Sequence, residues 1–362
     1  MRVAIDSRAL AKTGMRNYSD KLLALLPQVS PNVETIAYVD NLKVNRENFH
    51  NKYVNLFRRI VGDQVSLPSW AKEKNIDIFH NPRNMGIPFS HSFKVVTTIH
   101  DVIPRVFPQY YLSNKLEQLY YATMLRMSIN RSDSIITISE FSKQELLKYY
   151  QVPEDKITVI PQACSEAMRV IEPSAVQAAL QKYNITRPYI MTIGGSEYRK
   201  NVKTVIEAYL GELGKDYALV VVGGAWRNLD LRKDYANCKS LKFVQGISDE
   251  DLIALYNGAE AFIFASFYEG FGLPLLEAMR CGTPVIAARA SCLPEVSGDA
   301  AKYFSPLDSE ELRHVLQEVL GDRELQQAMI KKGFARQQLY SWEKTAAATY
   351  EVYKKVLVND GK

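Results

Sequence analysis

The sequence lacks the long apolar runs and paired cysteines that would place it in several large protein classes. No stretch of the 362 residues approaches the roughly 18 apolar residues of a membrane-spanning helix. The first residues, MRVAID, enter a strand-like segment directly, so we expect no signal peptide. Cys164, Cys238, Cys281 and Cys292 lie far apart without a C-x-x-C pair. We therefore expect free thiols and a cytoplasmic protein.

Several ligand signatures are missing as well. No G-x-G-x-x-G follows a predicted strand, which disfavours a nicotinamide dehydrogenase, and there is no Walker A motif. Five scattered histidines and four cysteines offer no zinc spacing. The one Asp-x-Asp, Asp249 to Asp251, follows Ser248 and precedes an apolar run, so we interpret it as a helix N-cap with an acidic first turn. We expect neither a metal nor a cofactor.

Positive charge is in modest excess and only in the first half. Residues 1–180 contain 22 Lys and Arg against 17 Asp and Glu, whereas residues 181–362 contain 23 of each. Arg58, Arg59, Lys72 and Lys74 contribute to this excess. It is too small for a nucleic-acid binder. An ordinary solvated surface explains it, and the alternative is contact with an anionic acceptor or the acidic inner face of a membrane.

Short β-rich runs alternate with helical patterns along the chain, which is typical of parallel α/β sheets. The length suits two domains. The segment Glu166–Pro188 has no strand character, so we place the boundary there, with domains at 1–170 and 171–341. Predicted strands are Arg2–Asp6, Val33–Val39, Ile76–His80, Val95–His100, Ser134–Ser139, Ile157–Ile160, Tyr189–Ile193, Ala218–Val222, Lys242–Val244, Ala261–Ala265 and Val285–Ala287. Predicted helices are Asn17–Leu26, Lys115–Asn130, Lys143–Tyr149, Val202–Leu213, Glu250–Asn257, Leu275–Arg280, Glu310–Leu320, Arg323–Leu339 and Trp342–Val358.

The most informative segment is EGFGLPLLE, Glu269 to Glu277. It follows an apolar strand and enters a helix with Pro274 in the first turn. Gly270 and Gly272 allow close backbone approach, and the helix N-terminus attracts an anion. Carboxylates on both sides suit a ligand with a central diphosphate and hydroxyl-rich rings, such as a nucleotide-sugar. The alternative is an ordinary strand end followed by a first-turn glutamate.

A second segment, IGGSEYRKN, also joins a strand to a helix through glycines, but its charged side chains are cations. Gly194 and Gly195 end a buried strand, and Arg199 and Lys200 precede the next helix. Paired glycines let phosphate oxygens reach the backbone, while the two cations can neutralise a departing diphosphate. The alternative is a solvated Arg-Lys pair in a loop.

Weaker signals occur at strand ends of the first half. His100 and Asp101 end the strand in TIHDVIP, and His80 ends the strand in DIFHNP. A neutral imidazole there can hydrogen-bond a sugar hydroxyl, and Asp101 can orient an acceptor or its own loop, although such histidines are more often structural. Gly14, in the loop TGMRNY, can bring N–H groups over a phosphate.

Taken in order, His100-Asp101, SEFS at 139–142, RKN at 199–201, EGFGLPLLE and LPE at 293–295 resemble glycosyltransferase family 4. These are retaining nucleotide-sugar transferases, and the chain is similar to the glucosyl- and mannosyltransferases of bacterial polysaccharide synthesis. The resemblance implies the GT-B architecture: α/β, two Rossmann-like doubly wound domains facing a central cleft. The first binds acceptor, the second binds donor, and helix 342–358 crosses back onto the first.

The resemblance also implies roles for individual residues. Arg199 and Lys200 would bind the donor diphosphate and Glu277 the ribose hydroxyls. The remaining contacts with sugar, phosphates and base would come from Glu269, the backbone of Gly270, Phe271, Gly272 and Leu273, His100 near the C6 hydroxyl of the sugar, Gly14 beside the phosphate, and the turn from Gln245 to Ile247. Many relatives have a second glycine where Met15 follows Gly14.

The expected reaction is transfer of a hexose, with retention and without metal, to a hydroxyl of a glycan or lipid-linked oligosaccharide. We favour UDP-glucose or a similar UDP-hexose over GDP-mannose as donor. A nucleotide-sugar 2-epimerase shares this fold but needs acid/base residues that we do not find. A non-catalytic binding subunit would be expected to have lost Arg199, Lys200, Glu269 and Glu277, which are all present.

Overall fold

The computed structural model describes residues 1–8, 14–39, 60–112, 114–186, 188–195, 197–223 and 231–358. The chain divides into two compact units, one formed by Met1–Gln162 with Ser341–Lys362 and one by Ala163–Tyr340. Each unit contains one six-stranded parallel sheet with helices packed against it. The predicted α/β class with two Rossmann-like domains is therefore confirmed.

The first unit has the strand order β2-β1-β3-β4-β5-β6. Its strands are β1 (Arg2–Asp6), β2 (Glu34–Tyr38), β3 (Ile78–Asn81), β4 (Lys94–Ile99), β5 (Ser134–Thr137) and β6 (Ile157–Val159). Its helices are α1 (Gly14–Val29), α2 (Leu67–Glu73) after a π-helical turn at Gly62–Ser66, α3 (Ile103–Val106), α4 (Pro108–Tyr111), α5 (Lys115–Arg131) and α6 (Glu140–Tyr150), with a 3-10 turn at Glu154–Lys156.

The second unit has the order β12-β11-β10-β7-β8-β9. Its strands are β7 (Tyr189–Gly194), β8 (Ala218–Gly223), β9 (Leu241–Val244), β10 (Ala261–Phe264), β11 (Val285–Ala288) and β12 (Ala301–Phe304). Its helices are α7 (Pro173–Lys182), α8 (Val202–Tyr209), α9 (Leu213–Asp216), α10 (Leu231–Asp234), α11 (Asp249–Gly258), α12 (Leu273–Arg280), α13 (Leu293–Ser297), α14 (Ser309–Gly321) and α15 (Arg323–Gln337), with 3-10 turns at Tyr198–Lys200 and Gly298–Ala300.

The last helix, α16 (Trp342–Val358), belongs to the first unit. It packs along α1, where the rings of Tyr18 and Trp342 meet edge-on with their centroids 6.0 Å apart. The hydroxyl of Thr345 donates to the carbonyl of Pro161 at 2.8 Å. Trp342 and Tyr353 are buried, so the apolar stripe of this helix completes the core of the unit that begins the chain.

Each sheet has a topological switch point, the position where the strand order reverses. In the first sheet this point lies between β1 and β3, and in the second between β7 and β10. All strand pairs are parallel, so the loops that follow the strands of one sheet lie at the same edge. Ligands of doubly wound sheets bind outside this edge, at the switch point.

Several elements differ from the predictions. The predicted helix Val202–Leu213 ends at Tyr209, because Leu210 is extended and Gly211 has φ +101°. The strand β12 was not predicted, and the two middle residues of its four are only half-buried. The described residues of Glu166–Pro188 form no strand, as predicted, and the helix α7 within this segment was not predicted.

The boundary between the units lies at Gln162 and Ala163, whereas the sequence placed it after residue 170. The connecting segment is held to the second unit by Asn257, whose amide donates to the carbonyl of Arg169 and accepts from the N–H of Ile171. The basic pair Arg58-Arg59 lies outside the described residues.

Candidate active site

Arg199, Lys200 and Glu269 meet at the switch point of the second sheet. The Nη1 atom of Arg199 lies 2.5 Å from Oε1 of Glu269, and the Nζ of Lys200 lies 2.8 Å from the same oxygen. Arg199 also pairs with Glu197 at 2.6 Å and donates to the carbonyl of Tyr268 at 3.1 Å. The side chains of Arg199, Lys200 and Glu269 are 13%, 17% and 11% exposed. The sequence predicted these three residues, and the fold joins the loops that carry them.

The loop after β7 is held in place by the residue that follows the two cations. Asn201 adopts φ +53°, a left-handed conformation that asparagine tolerates, and it precedes α8. Its side-chain amide donates to the carbonyls of Ala265 and Pro306, and its oxygen accepts from the hydroxyl of Thr204 at 2.8 Å. Asn201 therefore ties the loop after β7 to the end of β10.

Glu269 is a buried carboxylate that remains ionised. Burial acts to raise its pKa, but the charges of Lys200 and Arg199 outweigh burial and hold the pKa below its usual value. The hydroxyl of Ser266 donates to the same Oε1 atom at 2.8 Å. The N–H of Glu269 donates to the Oγ atom of Ser291 at 3.2 Å. Two cations are thus held in defined positions by one anionic residue.

The glycine-rich turn requires glycine at Gly272. This residue has φ +90°, and a Cβ atom there would lie 2.9 Å from Cδ2 of Leu293. It caps α12, which begins at Leu273 with Pro274 in its first turn, as expected. Gly270 and Phe271 are buried, and the ring of Phe271 meets that of Tyr340 edge-on at 5.6 Å. The N-terminus of α12 therefore follows Glu269 directly and presents its positive end there.

The ends of β7 and β8 approach each other closely. Gly194 is paired with Gly223, and a Cβ atom on Gly223 would lie 1.7 Å from the carbonyl oxygen of Gly194. Gly195 follows Gly194 and has open space around it, with nothing within 4 Å of a Cβ built there. A side chain at Gly223 is excluded, and a ligand atom can approach the backbone at Gly195.

Glu277 lies in α12 and differs from Glu269 in its environment. It is half-buried, and it accepts from the hydroxyl of Tyr256 at 3.1 Å. Burial raises its pKa to about 6, while Tyr256 and the charge of Lys200 oppose that shift. Glu277 is therefore within reach of the field of Lys200 but has no cation in contact with it among the described residues.

Ile247 follows β9 at the same edge of the sheet. It is half-buried and comes after Gly246, which has φ +63°. The neighbouring Asp249-Glu250-Asp251 forms the first turn of α11, and the hydroxyl of Ser248 accepts from the N–H of Asp251 at 3.2 Å. The capping interpretation of this Asp-x-Asp is confirmed.

His100 lies at the carboxyl end of β4 in the first unit and is 9% exposed. The amide of Gln162 donates to its Nδ1 at 2.7 Å, which leaves the proton of a neutral ring on Nε2. That buried nitrogen has no partner of hydrogen-bond geometry among the described residues. Burial lowers the pKa of His100 to about 4, and the backbone of Pro82 opposes the shift. His100 is thus a neutral donor at the expected edge.

Asp101 has a structural role in this arrangement. One of its carboxylate oxygens accepts from the N–H of Ile103, the first residue of the short α3, at 3.0 Å, and its carbonyl accepts from the amide of Asn84 at 3.3 Å. The sequence suggested that Asp101 orients either an acceptor or its own loop, and these hydrogen bonds correspond to orientation of the loop. Gly14 is the first residue of α1, and residues 9–13 lie outside the described part of the chain.

His80 belongs to a buried polar network rather than to an open site. Its Nδ1 contacts the hydroxyl of Tyr353 at 2.5 Å, and its Nε2 contacts that of Thr98 at 2.7 Å. Tyr18 contacts the same Thr98 hydroxyl at 3.0 Å. Burial lowers the pKa of His80 to about 3. The structural alternative for this histidine is therefore the one that the structure supports.

A cluster that the sequence did not predict occupies the switch point of the first sheet. Asp6, at the end of β1, pairs with Arg8 at 2.7 Å and with Arg83 at 3.2 Å. Arg8 also pairs with Asp63 at 2.6 Å. The charges of Arg8 and Arg83 overcome burial and lower the pKa of Asp6. The only local signal was Asp-x-Arg at a strand end, since the other partners are far away in sequence.

Two features are absent from the described residues, a metal-binding cluster and a membrane-spanning helix. No group of three or more His, Cys, Asp and Glu side chains is arranged to hold a metal ion. In the same residues no helix is both long enough and apolar enough to cross a membrane. All four cysteines are free, as expected.

Known proteins resemble the chain along nearly its whole length. The family described as Glycosyltransferase Family 4 matches residues 30–165, and that described as Glycosyl transferases group 1 matches residues 177–336. The O-antigen chain mannosyltransferase B of Escherichia coli is 31% identical over 89% of this chain and 88% of its own length. The serotype-specific mannosyltransferase WbdA of Escherichia coli is 33% identical over 73% of this chain, which spans 34% of that protein.

The same fold occurs in the sucrose-phosphate synthase of Thermosynechococcus elongatus, with a TM-score of 0.75 at 19% identity over 99% of both chains. At that identity the likeness concerns the fold. The sequence matches, one in each half and one along most of the length, show that this chain is a glycosyltransferase of the group 1 and family 4 type.

Proposed function

We propose that the protein transfers a hexose from a nucleoside diphosphate sugar, with retention of configuration, to a hydroxyl of a glycan or lipid-linked oligosaccharide. The observation that carries the proposal is the convergence of Arg199 and Lys200 on Glu269 beside the N-terminus of α12. Two oriented cations and a helix dipole are what a departing diphosphate requires. Gly195 leaves room for its oxygens at the backbone.

The proposed reaction uses the protein mainly as an electrostatic frame. The bond between the anomeric carbon and the diphosphate oxygen breaks, and Arg199 and Lys200 stabilise the charge that develops on that oxygen. The acceptor hydroxyl attacks on the same face, and its proton passes to the departing phosphate oxygen. Because both cations are already held by Glu269, little reorganisation accompanies bond cleavage.

Two further side chains would orient the donor. Glu277, ionised above pH of about 6, would accept hydrogen bonds from the ribose hydroxyls. The Nε2–H of His100, which has no partner of hydrogen-bond geometry in the described residues, would donate to a sugar hydroxyl. Ile247 and the turn before it would lie against the base. Metal independence remains part of the proposal, since Arg199 and Lys200 can supply the charge that a cation would bring.

The relatives bear on the sugar and on the acceptor. Both Escherichia coli relatives are named for mannose transfer, and the one that matches most of the chain is named for the O-antigen chain. We therefore place a mannosyl donor ahead of the glucosyl donor that the sequence favoured, and we propose a surface polysaccharide as the acceptor. The preference for UDP over GDP remains a prediction, as does contact of the first unit with a membrane.

Calorimetric titration with UDP, GDP and ADP, first without metal and then with Mg²⁺, tests the donor site. We expect one nucleotide to bind at micromolar concentration without metal and to bind weakly or not at all to Lys200→Ala. Incubation of the matching mannose and glucose donors with a mannan-type acceptor, followed by NMR of the new anomeric centre, tests the reaction. Absence of binding by all three nucleotides, or an inverted anomer, would refute the proposal.

A further inference from the structure

A cavity of about 180 Å³ in the first unit is lined by two tyrosines whose hydroxyls are unpaired. Tyr121 and Tyr150 are each 7% exposed, and neither hydroxyl has a hydrogen-bond partner in the part of the chain that the structure describes. A buried polar group without a partner costs about 1–3 kcal/mol. Two such groups in one cavity indicate that a ligand supplies the missing acceptors.

The two hydroxyls are donors at any physiological pH. Burial raises the pKa of Tyr150 to about 12 and raises the pKa of Tyr121 further above its usual value. Both tyrosines line the same cavity and belong to the same buried cluster. A ligand that accepts from both must therefore present at least two oxygen acceptors near each other.

Two guanidinium groups border the same cavity. Arg105 and Arg126 line it, and the charges of both act to lower the pKa of Tyr150. The guanidinium of Arg105 lies 5.6 Å from the ring centre of Tyr149, where Lys148 approaches the same ring at 4.8 Å. The ion pairs of the described residues include neither Arg105 nor Arg126, while the charge of Asp101 is one of the causes that raise the pKa of Tyr121. Two guanidinium groups against this one carboxylate give the surroundings of the cavity a net positive charge.

We propose that this cavity binds a phosphate group, at a site separate from that of the donor diphosphate. Tyr121 and Tyr150 donate hydrogen bonds to the phosphate oxygens, and Arg105 and Arg126 supply the charge that guanidinium groups present to phosphate. The cavity is smaller than the roughly 300–1,000 Å³ that enclose larger ligands, so it takes the phosphate group and not a whole nucleotide.

The phosphate can belong to a lipid headgroup or to a soluble molecule. Leu119 is 65% exposed and lies three residues before Ala122, which lines the cavity. Leu116, on the same helix, is 78% exposed. Residues three apart on a helix are neighbours, so an apolar side chain adjoins the rim of the cavity. This arrangement suits a phosphate that is attached to hydrocarbon, and the experiment separates the two sources.

The soluble source is tested by calorimetry of the full-length protein with inorganic phosphate and with pyrophosphate. Lys200→Ala serves as the background, because the donor site also binds phosphates. In that background we expect Arg105→Gln with Arg126→Gln to weaken binding by about tenfold for each cation removed. The matched control is Lys354→Gln with Lys355→Gln, which removes the same charge from exposed positions of the same unit and leaves binding unchanged.

The lipid source is tested by flotation with phosphatidylcholine vesicles with and without phosphatidic acid, whose headgroup is a phosphomonoester. Binding that requires phosphatidic acid, persists in the lysine control and is lost in the arginine variant assigns the site to a headgroup. Binding of soluble phosphate with the same pattern, without vesicle binding, assigns it to a free phosphate.

A second pair of variants separates ligand binding from folding. Tyr121→Phe with Tyr150→Phe removes two hydroxyls that have no protein partner, so the unfolding midpoint should not fall, while phosphate or vesicle binding weakens by about tenfold. If neither the arginine nor the tyrosine variants change binding of either probe, the cavity is not a phosphate site.

Discussion

The two sheets each have six parallel strands, and they differ in strand order and in the charges at their switch points. In the second unit Arg199 and Lys200 share the buried carboxylate of Glu269, and Arg199 also pairs with Glu197, whose side chain is 45% exposed. In the first unit two aspartates pair with two arginines, and the Asp6 side chain is fully buried. An anion can therefore displace the exposed Glu197 from Arg199 in the second unit, whereas the arginines of the first unit are paired with buried carboxylates.

The difference separates two uses of buried charge. Removing one partner of a balanced buried cluster leaves an uncompensated charge inside the protein, which is costly to stability. Removing either Arg199 or Lys200 leaves Glu269 paired with the other cation, so no buried charge loses all its partners. We therefore expect substitutions in the first cluster to change folding, and substitutions in the second to change catalysis.

The largest effect is expected for Asp6→Asn. Arg8 and Arg83 would then share only Asp63, and we expect the unit to lose about 3–5 kcal/mol in its free energy of unfolding. The measurement is urea unfolding, followed by the transition of the first unit. The control is Glu34→Gln, whose carboxylate pairs with Arg2 at the surface and is 56% exposed; there we expect a change of no more than about 1 kcal/mol. If the two variants were equally stable, the buried cluster around Asp6 would contribute no more to folding than a surface ion pair.

The second effect concerns turnover. Arg199→Ala and Lys200→Ala should each lower kcat by about 10²-fold or more, because each removes a fixed charge from the departing diphosphate. The control is Lys203→Ala in the first turn of α8, where the lysine is 65% exposed and pairs with Glu207. Its steady-state kinetics should match those of the parent protein. Full turnover in both cation variants would show that the site lies elsewhere.

The third effect is a dependence on pH at Glu277. Its folded pKa of about 6 lies above the ordinary 4.5, so the folded state binds more protons between these values, and stability falls as pH rises through that window. At about 1.36 kcal/mol per pH unit the full change is about 2 kcal/mol. Nucleotide affinity should fall as pH drops below about 6, since ribose binding needs the carboxylate.

Calorimetry and thermal unfolding between pH 4.5 and 7, for the parent protein and for Glu277→Gln, check both trends. The glutamine variant should bind nucleotide more weakly and show neither dependence. A pH profile of nucleotide affinity that is the same in both proteins would mean that another group titrates in this range.

The comparison also shows which features a sequence reveals. The second site was predicted because its chemistry is local: Gly194 to Asn201 and Glu269 to Glu277 are two short segments, each at the end of an apolar run. The cluster around Asp6 joins residues 77 and 55 positions apart, Asp6 to Arg83 and Arg8 to Asp63, and no spacing rule connects them. Tyr256 was missed for the same reason, since it reaches Glu277 from another helix.

The positions of strands and helices were likewise predicted where the signal is local and missed where it depends on distant contacts. Most strands were predicted to within a few residues, because they contain a run of buried apolar residues. In the strand β12 only the two end residues, Ala301 and Phe304, are buried, so its pairing with β11 decides its conformation. The end of α8 depends on one glycine with positive φ, which a helical pattern does not reveal.

The smallest effect is expected at the acidic run Asp249 to Asp251, whose Asp-x-Asp spacing resembles a metal site. Ser248→Ala removes the N-cap of α11, and we expect a loss of about 1 kcal/mol in thermal or urea unfolding, because the N–H of Asp251 loses its acceptor. The matched change Asp249→Asn keeps the cap and removes one carboxylate from the Asp-x-Asp. It should leave transferase activity unchanged with and without Mg²⁺, because this carboxylate stabilises a helix terminus. A Mg²⁺ requirement that disappears in Asp249→Asn would contradict the capping role and show that charge at this edge is supplied by a metal as well as by Arg199 and Lys200.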